Sequence, residues 1–154
     1  MARVLSYKEL GDIDQFHSRA NAILNEAREQ LRSFGHDLAV RRAQEAVELY
    51  LKTLFRFAGV EYPKTHDLEK SVYEISQILS GYDISRAEVA RLVLANGTMS
   101  VWRSPSFYGD ERLGVARVFR QKEAEVAVGF AEEVRGVCEK IRGSLYRRAA
   151  SATG

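Results

Sequence analysis

The chain has 154 residues, of which 45% are hydrophobic and 29% charged, with a formal net charge of +2; this is enough for one domain with its own core and ordinary for a globular protein. A charge this small does not by itself argue for nucleic acid, and a lone cysteine, Cys138, excludes an internal disulfide. No apolar run approaches the ~20 residues that cross a bilayer and the N-terminus lacks the apolar stretch of a signal peptide, so a cytoplasmic protein with no membrane association is expected.

Pro63 and Pro105 are the two prolines, and the long helical patterns around them predict an all-α chain. Ser6 and Glu9 have capping-box spacing, with Leu5 and Leu10 as a hydrophobic staple. Ile13, Phe16, Ala20, Ile23, Ala27, Leu31 and Phe34 then form one apolar stripe. Gly11 is a place for a kink, and Gly35 is the expected stop. The short Gly35-His36 connection makes the next helix, Asp37 to Ala58, an antiparallel neighbour. Val40, Ala43, Val47, Leu51, Leu54 and Ala58 share its buried face, widened by Tyr50 and Phe57. Arg41, Arg42, Glu45, Glu48 and Lys52 take the other side, and Glu48 and Lys52 are spaced to pair across one turn. Gly59 suits the left-handed residue that closes a helix, Pro63 keeps the chain extended, and Thr65 or Asp67 can cap the next start.

A third, shorter helix is predicted over Asp67–Leu79, burying Leu68, Val72, Ile75 and Leu79 and ending at Gly81. A second capping box, Ser85 and Glu88 with Ile84 and Val89 as staple, opens a fourth helix. It carries Leu92 and Val93 and runs past Gly97 to Met99 and Trp102, where Ser104-Pro105 is expected to break it. Ser104, Pro105, Ser106, Gly109, Asp110 and Gly114 make residues 104–118 an irregular loop of functional length. The last helix, Phe119–Tyr146, has Ala127, Phe130, Val134, Cys138, Ile141 and Leu145 as its stripe, and Arg147–Gly154 reads as a frayed tail. The expectation is one domain over residues 1–154, ordered over 6–146: an up-and-down bundle of four main helices plus a short one.

Several chemistries fail on counting. Di-iron bundles need Glu-x-x-His pairs, which this sequence lacks, and His66-Asp-Leu-Glu69 is a single reversed pair. No Gly-rich phosphate loop occurs. No metal and no cofactor are expected, and Cys138, mid-stripe, reads as a buried thiol. Arg103 sits where a helix gives way to the irregular loop, suited either to anion binding or to a salt bridge. Trp102 reads as a core or interface residue. Arg112, Arg117, Arg120 and Lys122 form a modest basic cluster beside the loop, either solvated surface or a phosphate contact.

Ala43-Gln44-Glu45-Ala46 leading to Lys52 and Leu54, then Gly59, then Pro63-Lys64-Thr65-His66-Asp67-Leu68, resembles the HEPN domain of bacteria and archaea. Phe107-Tyr108-Gly109-Asp110 looks like the family's Arg/aromatic–Tyr–Pro/Gly–Asp turn, and helix order and lengths agree over about Asp12 to Leu145. The resemblance implies a helical bundle that forms a homodimer. It also implies a toxin-like or nucleotide- or RNA-binding partner of a small nucleotidyltransferase antitoxin. Ribonuclease members of the family carry Arg, four to six residues, then His at the end of the fourth helix. The His serves as general acid or base and the Arg stabilises phosphate charge.

Here the pattern departs from the family. The histidines are His17, His36 and His66, and Arg103 is followed by Ser-Pro-Ser-Phe and then Tyr108. A Tyr of unperturbed pKa ~10 is a poor base at neutral pH. The residues that the resemblance singles out are Arg103 and Tyr108 for catalysis, and Arg103, Asp110 and His66 for nucleotide or phosphate binding. The alternatives are a metal-independent ribonuclease in which Tyr108 or His66 replaces the usual His, and a non-enzymatic helical docking module.

Overall fold

A computed structural model describes residues 4–63, 73–74, 77, 80–82, 84–108 and 119–154, with the backbone alone at 80 and 104–108. Four α-helices are described: α1 (Tyr7–Arg32), α2 (His36–Phe57), α3 (Arg86–Tyr108) and α4 (Gln121–Ala152), with a 3₁₀ turn at Ser80–Tyr82 before α3. The described residues contain no strand, and no helix among them is long and apolar enough to cross a membrane. The expected helix over 67–79, with its caps Thr65 and Asp67, falls largely outside the described residues.

Long-range side-chain contacts give the helix directions. Glu26 meets Arg42, Asn21 meets Tyr50 and Phe16 meets Arg56, so α1 and α2 run antiparallel. Arg28 reaches Glu132 and Arg142 reaches Asp14, so α1 and α4 are antiparallel too. Lys140 pairs with Glu88 and Arg91 with Glu133, which sets α3 against α4 in the same sense. Helix α2 packs against α1, α3 and α4. It can do so because Ala39, Ala43 and Ala46 let neighbouring backbones approach, while Val40, Val47, Tyr50, Leu51, Leu54 and Phe55 fill the space between.

The caps follow the sequence closely. Ser6 Oγ accepts from the Glu9 N–H at 3.2 Å and Glu9 Oε2 accepts from the Ser6 N–H at 2.9 Å, a complete capping box. At α3 the Ser85 Oγ accepts from the Glu88 N–H at 3.1 Å, but the Glu88 carboxylate turns away to Lys140.

Four expectations are corrected. The left-handed residue that ends α1 is Phe34 (φ 61°), not Gly35, which instead precedes α2 as its N-cap. Gly35 N–H donates to Gln30 O at 2.8 Å and Phe34 N–H to Leu31 O at 3.3 Å, the two bonds of a Schellman ending. The motif fixes which position is left-handed, and the glycine lies one residue beyond it. Secondly, the buried face of α1 is rotated toward Leu10, His17 and Leu24. Phe34 is 68% exposed, and Phe16 lies half-buried with the Arg56 guanidinium 4.2 Å from its ring centre.

Thirdly, α3 does not break at Ser104-Pro105 but continues to Tyr108. Pro105 cannot donate to the carbonyl of Val101, and Val101 is 73% exposed, so water is at hand for the freed acceptor. Finally, α4 begins at Gln121 and continues to Ala152 rather than fraying from Arg147. Ala149 is buried, and Arg148 donates to Gly81 O at 2.9 Å while lying 4.0 Å from the centre of the Tyr82 ring.

A polar seam joins α1 to α4. Asp14 accepts from Arg142 at 2.7 and 2.8 Å and from the Tyr146 hydroxyl at 2.5 Å. Burial works to raise the Asp14 pKa, but the hydrogen bonds from Arg142 and Tyr146 outweigh it and hold the carboxyl below its usual range. One turn on, His17 is buried and stands edge-on to the Tyr50 ring. Burial lowers its pKa, reinforced by Arg142 and opposed by Glu139 and Asp14. Cys138 is buried as expected, its thiol 3.4 Å from Tyr50 O and pushed well up by burial.

Two predictions follow from this packing. Phe34→Gly relieves a left-handed phenylalanine and raises stability by about 1 kcal/mol, whereas Gly59→Ala (φ 72°) lowers it by a similar amount; urea melts of both variants read the sign. His17 binds its proton less well folded than unfolded. Stability is therefore full above about pH 6.5 and falls as pH drops below it. The Asp14 contribution is lost in a later step, below about pH 4. In His17→Gln the first decline disappears from a stability–pH curve and the second stays.

Candidate functional site

Helices α2 and α3 face each other through residues one and two turns apart. Gln44, Val47, Glu48 and Leu51 on α2 meet Asn96, Met99, Ser100 and Arg103 on α3, and Tyr62 in the extended segment after α2 closes the side. The 3.6-residue period puts positions 44, 48 and 51 on one face and 96, 99, 100 and 103 on the other.

Glu48 is the centre of the charge arrangement. Its Oε2 accepts from Arg103 Nη1 at 3.2 Å and from Gln44 Nε2 at 3.4 Å, and its Oε1 lies 3.3 Å from Lys52 Nζ. The Arg103, Glu48 and Lys52 side chains are each about one-third exposed, so the cluster sits at the mouth of the cleft. Lys52 Nζ is 5.1 Å from the centre of the Tyr62 ring, which in turn stands edge-on to Phe55 at 5.3 Å. Burial raises the Tyr62 pKa strongly, Glu48 adds to it and Arg103 opposes it. Tyr62 is therefore a neutral phenol at physiological pH, suited to donate a proton in a hydrogen bond.

Deeper in the cleft are two amides. Gln44 is 5% and Asn96 4% exposed. Gln44 Oε1 and Asn96 Nδ2 are buried with no hydrogen-bond partner among the described residues. Both side chains line one cavity of about 20 Å³, room for a single water-sized group. A buried polar atom left unpaired costs about 1–3 kcal/mol, and a cavity of this size suits one water hydrogen-bonded to such groups.

Of the residues picked out by sequence, Arg103 is in this cleft and in a salt bridge. Tyr108 is the last residue of α3, with its side chain outside the described residues. His66 and Asp110 lie outside them altogether, as do Arg112 and Arg117. Arg120 and Lys122 are exposed at the start of α4. Trp102 packs against Phe119 at 5.4 Å, and the Phe119 N–H donates to Asp37 Oδ1 at 2.8 Å. These contacts tie Phe119 to both α2 and α3.

Sequence reasoning missed Asn96, Tyr62 and the chemical use of Gln44 and Glu48. A signal was available for the amides. Gln44 sits between Ala43 and Val47 on the buried side of its helix, and Asn96 between Leu92 and Met99; a polar residue inside an apolar stripe is either paired or functional.

No curated protein matches the chain. The family model for the HEPN domain matches residues 13–141. That span runs from the first turns of α1 to the last third of α4 and contains every residue of the cleft. The chain belongs to the HEPN domain family.

Proposed function

We propose that this HEPN-domain protein binds the phosphate of a nucleotide or RNA at the mouth of the α2–α3 cleft, with Arg103 as anchor. The observation that carries the reading is the Arg103–Glu48–Lys52 cluster, in which two cations share one carboxylate. A partly exposed ion pair is worth about 1 kcal/mol or less. A guanidinium–phosphate contact is charge-assisted and can be bidentate, so an incoming phosphate competes well with Glu48 for Arg103. Lys52 lies close enough to share the load. The orphaned amides beneath add polar groups that a ligand can satisfy.

The same reading makes the protein a toxin-like partner of a small nucleotidyltransferase, working as a homodimer. Leu94 (55% exposed) and Val101 (73% exposed) lie two turns apart on the side of α3 away from the cleft. An exposed apolar pair on a regular helix suits a second copy of the chain.

Arg103→Ala is expected to weaken binding of a short labelled oligoribonucleotide by about tenfold or more. Glu48→Gln removes the competing carboxylate and is expected to strengthen binding by about threefold. Fluorescence anisotropy at several salt concentrations measures both; unchanged affinity in both variants refutes the assignment. Val101→Glu is expected to shift the protein toward monomer in light scattering coupled to size exclusion, and a wild-type protein that is already monomeric counts against the homodimer.

A further inference from the structure

One half-buried arginine is held differently from the others. Arg28, Arg41, Arg42, Arg103, Arg135 and Arg142 are half-buried, and each has a carboxylate at ion-pairing distance. Arg148 is half-buried too, yet among the described residues it has no carboxylate partner. Its guanidinium lies 4.0 Å from the centre of the buried Tyr82 ring and donates through Nη2 to Gly81 O at 2.9 Å. Those contacts fix its position and leave its charge unbalanced. Its neighbour Arg147 is exposed and likewise has no carboxylate partner among the described residues; its Nη2 donates to Ser144 Oγ at 3.1 Å.

Ser144, Arg147, Arg148 and Ser151 follow one another at three- and four-residue steps, so they share one face of α4. With Gly81 and Tyr82 they line a groove of about 530 Å³, within the size range of small-molecule sites. No acidic side chain lines it among the described residues. The dipole of α4 does not account for the two cations. It acts over the final turn, whereas helical side chains lean toward the N-terminus; Arg147 does so in reaching Ser144, away from the end of α4 at Ala152.

Donors outnumber acceptors in the groove. A guanidinium carries five N–H groups, and Arg147 and Arg148 each make one side-chain hydrogen bond. Ser144 Oγ accepts from Arg147 and keeps its own proton to give, whereas the Ser151 hydroxyl is committed to Arg147 O at 3.0 Å. A carboxylate is planar, and one guanidinium satisfies it. A phosphate monoester carries a charge of about −1.5 to −2 and three acceptor oxygens, which matches two cations and a hydroxyl set around it. A phosphodiester carries a single charge and matches them less well.

We propose that this groove is a second anion site, which holds the phosphate of a small phosphate monoester between Arg147 and Arg148 with Ser144 as the third donor. It is separate from the α2–α3 cleft. Tyr82 stands just before the start of α3 at Arg86, and Arg103 is roughly 25 Å further along that helix at ~1.5 Å per residue.

The test follows the backbone amide resonances of Gly81, Ser144, Arg147 and Arg148 in the ¹⁵N-labelled intact protein. Methyl phosphate and dimethyl phosphate are titrated separately at constant ionic strength and about pH 7.5, above the second phosphate pKa of ~6. The expected result is a saturable shift with methyl phosphate, with a dissociation constant of about 1 mM, and a response to dimethyl phosphate about tenfold weaker or less. Arg147→Gln, at an exposed position, is expected to weaken methyl phosphate binding by about tenfold, and Ser144→Ala by about threefold. Thermal melts of both variants check the fold. No saturable shift with methyl phosphate, an equal response to dimethyl phosphate, or full-strength binding in Arg147→Gln each overturns the site.

Discussion

The packing of α2 against three other helices governs the rest of the molecule. A helix covered on so many sides has little room for polar side chains, and each one it carries must be paired or held for a purpose. Arg42 and Glu45 solve the problem at the edge by pairing with each other, and Arg42 also with Glu26. Thr53 is fully buried and solves it by donating to Leu49 O one turn back, at 2.8 Å. Gln44 solves only half of it. Its amide nitrogen reaches Glu48, and its oxygen is left facing a small cavity shared with Asn96. The cleft is thus a direct consequence of where α3 crosses α2, with two amides on the shared face and the charged residues at the rim.

The charged rim and the amide floor differ in what they can contribute. Ion pairs at about one-third exposure add little to stability, so the Arg103–Glu48 contact can open at small cost. The floor is different, because an unpaired buried amide is costly in a low-dielectric setting and gains from any group that pairs it. Exchange at the rim leaves Arg103 able to change partners, and pairing at the floor asks for a group no larger than a water. Elsewhere the same residue types form a more tightly bonded cluster. Arg142 makes two short bonds to Asp14, backed by Tyr146, and no unpartnered atom of that trio is buried among the described residues.

The scaffold was legible in the sequence because it rests on periodicity and local caps. The apolar faces of α2 and α4, the Ser6–Glu9 box, the Ser85 cap and the Gly59 ending are short-range features, and they form as the residues dictate. The errors came where a local rule met a neighbour. Phe34 took the left-handed position because the Schellman bonds required it there. Pro105 was absorbed into α3, and the Arg147–Ala152 segment was held as helix by Ala149 in the core and Arg148 on Gly81 and Tyr82. Arg103 was legible as a candidate from its place near a helix end and from the family resemblance, and the structure places it in the α2–α3 cleft beside Glu48. Glu48 looked like one half of a surface pair with Lys52, since nothing in one helix reveals that Arg103 arrives from another. Asn96 carried only the weak signal of an amide in an apolar stripe, and its meaning depends on Gln44 across the cleft.

The central claim is that Arg103 is held by an exchangeable counter-ion and accepts a phosphate in its place. The most direct measurement is the side-chain Nε–H resonance of Arg103 in the ¹⁵N-labelled intact protein during titration with inorganic phosphate. Arg142, held by two bonds to Asp14, serves as the internal control. The account predicts a saturable shift at Arg103 with Arg142 unmoved. An Arg103 resonance that stays in place, or one that moves no more than Arg142, contradicts it.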